Sequence, residues 1–363
     1  MSTVHPALTP PIAGAKRLLL SPVDLEPTGP DWEIVSAFNP GVAVVGDRVV
    51  LLVRVAERPR EERRGLIALP RFDFEKGYTV DWVRAEDVEP IDPRVVRLLS
   101  TGCIRLTFVS HLRVIDLGDG LARQSSDEIR IDPATFYEEY GVEDPRITKI
   151  DDRYWITYVA VSRHGVTTAL ASTTDFRTFE RHGIQFTVEN KDVLLFPEKI
   201  KNEYVALHRP NGATRFTVPE MWLAYSPDML HWGKHAPLHV PLGDWESGRI
   251  GGGIPPFRVD GGWLEIYHGN RRPTKPGEVG AYQAAAVLLD SDDPSRVLAR
   301  THQPILSPTE PFERHGFVPD VVFPTGLVER GDNWLIYYGA GDAHTAVVEM
   351  HKSEILDHLR PVA

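Results

Sequence analysis

The chain has 363 residues, with 40 Lys+Arg against 51 Asp+Glu for a formal net charge of −11, and is 42% hydrophobic and 25% charged. That is an ordinary globular composition, long enough to bury roughly three quarters of the surface its unfolded form exposes. The acidic balance without any long Lys/Arg block argues against nucleic acid or an anionic membrane surface as the main partner. A lone cysteine, Cys103, excludes an internal disulfide and a cysteine-built zinc site.

The N-terminal stretch MSTVHPALTPPIAGAKRLLLSP has no apolar region of secretory type, and no segment approaches the ~20 apolar residues of a membrane span, so the cytoplasm is the expected location. Residues 1–30 read as an arm that packs on the domain or helps close it. Five segments then repeat a strand, a tight turn and a second strand: 41–55, 144–161, 194–210, 253–269 and 321–339. Their turns, Gly46-Asp47, Asp151-Asp152, Lys201-Asn202, Asp260-Gly261 and Gly331-Asp332, are of the residue types that two-residue hairpins require. Between the first two lie a charged excursion at 56–70 and a short helical pattern at Asp132 to Tyr140. The segments 169–183 and 223–235 each end a strand in an Asp followed four residues later by an aromatic, Asp175 to Phe179 and Asp228 to Trp232. The tail from Val347 to Leu359 reads as helical. With 30 prolines and 29 glycines punctuating strand-length runs and no linker in the middle, the expectation is all-β: a single five-bladed β-propeller domain over 1–363.

No G-x-S-x-G, H-E-x-x-H, P-loop or strand-borne G-x-G-x-x-G is present, and the histidines lack metal-ligand spacing, so no metal or cofactor is expected. Gly251-Gly252-Gly253 opens no helix and is a weak phosphate cradle. Charged residues fall where each repeat should approach a central axis, where buried charge is costly without a purpose. Asp144, Glu198 and Asp320 stand at or before first strands; Arg54, His208-Arg209 and His268 end second strands. Singly, Asp144 reads as a turn former before proline, Glu198 as a solvated edge charge, Asp320 as a turn cap and His268 as a core histidine. Together they describe a pocket with the carboxylates and polar groups that cleavage of a glycosidic bond needs.

The motifs FNPGVAVV, GVEDPRITKI, LLFPEKI, RIGGGIPP, LEIYHG, GFVPDVVFPTG and YYGAGD, in this order from Phe38 to Asp342, resemble glycoside hydrolase family 130, five-bladed propellers acting on β-mannosides. The resemblance implies an oligosaccharide substrate, Asp144 as general acid, Asn39, Arg54 and Asp320 as residues that hold the mannose, His268 as part of a motif lining the same cavity, and Arg249 in place of the usual lysine at a phosphate-contacting position; Arg146, His208 and Arg209 are further candidates for substrate binding. It further implies that phosphorylase members carry arginine where this chain has Glu198. A carboxylate there would repel phosphate and suits activation of water, with Glu246 as a competing base. The expected function is therefore an inverting β-mannosidase, with β-1,2-linked manno-oligosaccharides as substrates. A phosphorylase releasing mannose 1-phosphate is the alternative, and a non-catalytic sugar-binding propeller a further one. Oligomeric state is not legible.

Overall fold

Five two-residue turns set the framework of the computed structural model, which describes residues 14–124, 129–212, 216–240, 243–273, 275 and 277–362. The pairs Val45↔Arg48, Ile150↔Arg153, Ile200↔Glu203, Val259↔Gly262 and Arg330↔Asn333 close the five hairpins at the turns expected from the sequence. Left-handed backbone at Gly46, Asp151, Lys201, Asn202, Gly261 and Gly331 accounts for the residue types found there.

Each hairpin is the start of an antiparallel unit. The first holds Trp32–Val45, Arg48–Pro59 and Val109–Asp116; the second Gly141–Ile150, Arg153–Ser162, Gly165–Thr173 and Glu180–Phe186. A single parallel pair, Gly141↔Ser110, joins these two into one eight-stranded sheet. The third unit runs Asn190–Leu195, Tyr204–Pro210, Trp222–Ser226 and Gly233–Pro237. In the fourth, Arg249–Gly251 and Phe257–Val259 flank Gly262–Asn270, followed by Tyr282–Leu289, Val297–Thr301 and the C-terminal Leu359–Pro361. The fifth runs Val322–Arg330, Asn333–Ala340 and His344–His351, and its outer edge is the N-terminal strand Ala15–Leu20. The chain is all-β, with two short α-helices among the described residues, Pro311–Arg314 and Lys352–Leu356.

Apolar clusters lie between successive units. In Arg48–Pro59, Val50 and Leu52 pack with Ile156 and Tyr158 of the second unit, while Leu51 and Val53 pack with Leu335 and Tyr337 of the fifth. Alternate side chains leave a strand on opposite faces, so a strand covered on both sides reads as an unbroken apolar run. Further clusters join the second unit to the third through Leu170 and Leu195, the third to the fourth through Leu207 and Trp263, and the fourth to the fifth through Ile266 and Ile336.

Two expectations are corrected. Asp132 to Tyr140 contains only a single 3-10 turn, Phe136–Glu138. Val347 to Leu359 divides between the strand His344–His351, the helix Lys352–Leu356 and the strand Leu359–Pro361, because Val347 and Val348 pair with Tyr337 and Ile336. Of the N-terminal arm, residues 1–13 lie outside the described residues. The excursion after residue 59 leads into two added sheets, Leu66–Asp73 with Gly77–Arg84, and Val88–Asp92 with Val95–Leu98 and Ile104–Leu106. No helix among the described residues is long and apolar enough to cross a membrane.

Candidate active site

The first strands of the first three units each break register at one left-handed Asn or Asp. The irregularities fall at Phe38/Gly41, Glu143/Arg146 and Lys191/Leu194, around Asn39 (φ 47°), Asp144 (φ 48°) and Asp192 (φ 54°). Asn and Asp adopt this conformation more readily than other L-residues, and a bulge re-aims the side chain it carries. All three side chains, with Asp342 (φ 47°), line one cavity of about 290 Å³, close to the lower limit for small-ligand sites. The added sheets supply part of its wall through Arg94, Val95 and Leu106.

Asp144 is the most constrained of these carboxylates. Its Oδ1 accepts hydrogen bonds from Asn39 Nδ2 and Arg54 Nη1, both at 2.9 Å, while Arg54 Nη2 donates to Glu143 Oε1 at 2.7 Å. Burial raises the Asp144 pKa, but Arg54, Lys191 and Arg146 outweigh it and hold the carboxyl below its usual range. Asp342 moves the other way: burial lifts it, the charge of Asp144 adds to the effect, and Arg94, 3.4 Å away, together with Arg54 compensates only in part. Two neighbouring carboxyls with opposite shifts are the arrangement in which one holds a proton and the other remains an anion.

Another part of the lining is cationic. Lys191 and Arg209 sit directly across from each other on adjacent strands, and Arg249 and Asn211 line the same cavity. Like charges in facing positions are unfavourable unless something negative sits between or beside them. Asp192 holds Arg209 at 2.8 Å and Glu143 lies 4.0 Å from Lys191, yet the buried Nε atoms of Arg209 and Arg249 have no hydrogen-bond partner. Burial raises the Asp192 pKa, and Arg209, His268 and Arg146 then carry it well below the usual range, so the residue is a fixed anion.

Of the residues expected from the sequence, Asn39, Arg54, Asp144, Arg209 and Arg249 line the cavity. Arg146 and His268 lie just behind it. Arg146 Nη1 donates to the Asp144 carbonyl at 3.1 Å, and His268 Nε2 is 3.4 Å from Asp192 Oδ2. His208 is elsewhere, stacked on Phe186 at 4.8 Å with its ring nitrogens engaged by Asn190 and His235; burial and the His235 charge press its pKa down to about 3. Asp320 is exposed and outside the lining; its carbonyl accepts from Tyr282 N. Neither carboxylate expected as a base reaches the cavity. Glu198 has 53% of its side chain exposed and pairs with Arg258 on the surface at 2.6 Å. Glu246 is fully buried, bound by Arg300 at 2.8 Å, by the Tyr267 hydroxyl and by Gly243 N.

A family model described as beta-1,4-mannooligosaccharide phosphorylase, that of glycoside hydrolase family 130, matches residues 83–361. The chain belongs to glycoside hydrolase family 130. Over 347 residues, 94% of this chain and 96% of the relative, it is 39% identical to a beta-1,2-mannobiose phosphorylase of Listeria innocua serovar 6a. A 1,2-beta-oligomannan phosphorylase of Thermoanaerobacter sp. strain X514 is 35% identical over 252 residues, covering 68% of this chain and 81% of the relative. The solved structure of the Listeria innocua beta-1,2-mannobiose phosphorylase in complex with beta-1,2-mannobiose matches at a TM-score of 0.87, covering 94% of this chain and 96% of that one.

These family 130 relatives overturn the expectation of a hydrolase. They are named as phosphorylases, and Glu198, whose carboxylate motivated the water mechanism, is a surface residue outside the cavity lining. Sequence reasoning also passed over Lys191, Asp192, Asn211 and Asp342. The signal for Asp192 was its place between Lys191 and a strictly apolar run; Asp342 ended a motif whose last residue went unassigned.

Proposed function

We propose that this protein is a β-mannoside phosphorylase acting on β-1,2-mannobiose with inorganic phosphate, built as one five-bladed propeller with the cavity at its axis. The propeller reading is supported by the apolar clusters that link each unit to the next and the fifth back to the first. The observation that carries the activity is the set of cations Lys191, Arg209 and Arg249 lining the same cavity as Asp144. A buried Arg209 and a half-buried Lys191 and Arg249, with the Nε atoms of both arginines unpartnered, suit a phosphate, whereas activating water calls for a carboxylate base.

In this reading phosphate is held by Lys191, Arg209, Arg249 and Asn211 on one side of the scissile bond. A phosphate oxygen forms a bond to the anomeric carbon as the bond from that carbon to the bridging oxygen breaks. A proton from Asp144 reaches the departing sugar oxygen. The products are mannose and mannose 1-phosphate with inverted configuration. Arg54 and Lys191 hold the Asp144 carboxyl below its usual range and so favour the anion. A phosphate anion bound beside it offsets those cations and favours the protonated acid, so the proton is gained when both substrates are in place. The test is product analysis on β-1,2-mannobiose and β-1,4-mannosyl-glucose with and without phosphate. Mannose 1-phosphate is expected from the first and only with phosphate; free mannose at an equal rate without phosphate would overturn the assignment.

A further inference from the structure

Behind the cavity, Glu265 is a buried acid that the reaction as described leaves unused. It sits in the strand Gly262–Asn270 with no exposed surface, outside the cavity lining. Its Oε1 accepts a hydrogen bond from Gly253 N at 3.0 Å, and its Oε2 has no partner. Burial pushes its pKa well above the usual carboxyl range; the Asp192 charge adds to this, against the Gly253 hydrogen bond and Arg146, so the surroundings favour the neutral acid.

The same glycine is held from its other side. Gly253 O accepts from Arg146 Nε at 2.6 Å, and Arg146 Nη1 then donates to the carbonyl of Asp144 at 3.1 Å and to that of Pro145 at 3.4 Å. No Cβ fits at residue 253, since it would lie 2.3 Å from Ile266 O, so the peptide is pressed against the Glu265 strand. A continuous chain therefore runs from Glu265 through the Gly253 peptide and the Arg146 guanidinium to the backbone of Asp144, which is left-handed there (φ 48°). An Asp in that conformation persists only where its surroundings over-determine it.

We propose that Glu265 is a positioning residue for the phosphorolysis: by anchoring Gly253 it fixes Arg146, and Arg146 fixes the Asp144 backbone so that the carboxyl faces the glycosidic oxygen. The proposal rests on the reading of Asp144 as proton donor. Misplacement of a reacting group by a fraction of an ångström costs rate more than it costs binding, so loss of the anchor acts on kcat. Glutamine keeps an acceptor for Gly253 N and matches the neutral acid in shape. Leucine removes the acceptor, and aspartate withdraws it by one methylene.

The experiment measures kcat, KM for β-1,2-mannobiose, KM for phosphate and the pH profile of kcat for the wild type, Asp144→Asn, Glu265→Gln, Glu265→Leu and Glu265→Asp, each normalised to folded protein. Glu265→Leu and Glu265→Asp are expected to lose kcat by about tenfold to a hundredfold, with both KM values within about twofold of the wild type, and to shift the Asp144 limb of the profile. Glu265→Gln is expected to retain both rate and profile. Wild-type kcat in Glu265→Asp overturns the proposal even where the leucine variant does not fold, and so does a loss of kcat in Glu265→Gln matching that in Glu265→Leu. A wild type that makes no mannose 1-phosphate, or an Asp144→Asn variant with full activity, refutes the reading underneath instead.

Discussion

At Asp144 and Glu198, two acidic residues of similar standing in the sequence acquire opposite roles from their surroundings. Asp144 is enclosed by Asn39, Arg54 and Glu143, whereas Glu198 forms an exposed pair with Arg258. Exposed pairs contribute about 0–1 kcal/mol. Glu198→Gln is therefore expected to retain wild-type phosphorolysis and a melting temperature within about a degree. Asp144→Asn is expected to lose a factor of about 10²–10⁴ in kcat without loss of fold. The pair of variants in one coupled mannose 1-phosphate assay checks both; a large rate loss in Glu198→Gln would return that residue to the reaction. Asp144 was legible at the start of a repeat's first strand and Asn39 through the family resemblance, and both lie seven residues ahead of their turns, at Gly46 and Asp151. In the third unit the equivalent bulged residue is Asp192, not Glu198. The offset to the turn is longer there, since the strand ends at Leu195 and only the bridge Ile200↔Glu203 precedes the reversal. An extra stretch between strand and turn leaves no mark in composition or periodicity, so sequence reasoning singled out Glu198, which lies outside the cavity lining, and passed over Asp192, which lies in it.

Among the elements, hairpins with local turn chemistry were readable and strands with distant partners were not. The five turns and the two Asp-led turns carry their own signal. Asp175 Oδ1 accepts from Arg177 N and Thr178 N, and Asp228 Oδ1 accepts from Leu230 N and His231 N, one geometry used twice. The tail strand His344–His351 pairs with Asn333–Ala340 on one side and Ala15–Leu20 on the other, and nothing near Val347 announces the second partner. Close packing between elements also reaches the site. In the strand Asn333–Ala340, a Cβ at Gly339 would stand 1.8 Å from Asn39 Oδ1 and 3.0 Å from Asn39 N. Gly339→Ala must push Asn39 off Asp144, removing one of the two donors to Oδ1. Lost hydrogen bonds to a charged group are worth about 1.5–3 kcal/mol. The expected result is a fall in kcat/KM of roughly tenfold or more, measured on folded protein. An unchanged kcat/KM would show that Asn39 does not set the state of Asp144.

For the molecule as a whole, the two chain ends meet in the last two units. The fifth unit receives its outer strand from Ala15–Leu20 and the fourth from Leu359–Pro361, so each edge is completed only when its own strand is in place. Fastening the N-terminal strand is Lys16, which burial shifts to lower pKa against the pull of Glu313. Its Nζ lies 2.8 Å from Glu313 and also donates to Ser307 O at 2.6 Å and to Thr309 Oγ1 at 2.9 Å. Glu313 itself has no exposed surface, and it keeps Thr309 N, Glu310 N and the Tyr338 hydroxyl as donors when the lysine is gone. Removing one partner of a buried pair leaves an uncompensated charge and costs about 3–5 kcal/mol. With three donors remaining on Glu313, Lys16→Met falls at the lower end, about 3 kcal/mol. The cavity is lined from the inner strands and from the added sheets, and none of the strand 15–20 reaches it. The variant is therefore expected to unfold at lower urea with an unchanged slope while its kcat per folded molecule stays that of the wild type. An unchanged urea midpoint would mean that closure of the fifth unit rests on Leu20 and backbone pairing alone, and a drop in kcat would tie the fastening of the termini to the geometry of the cavity.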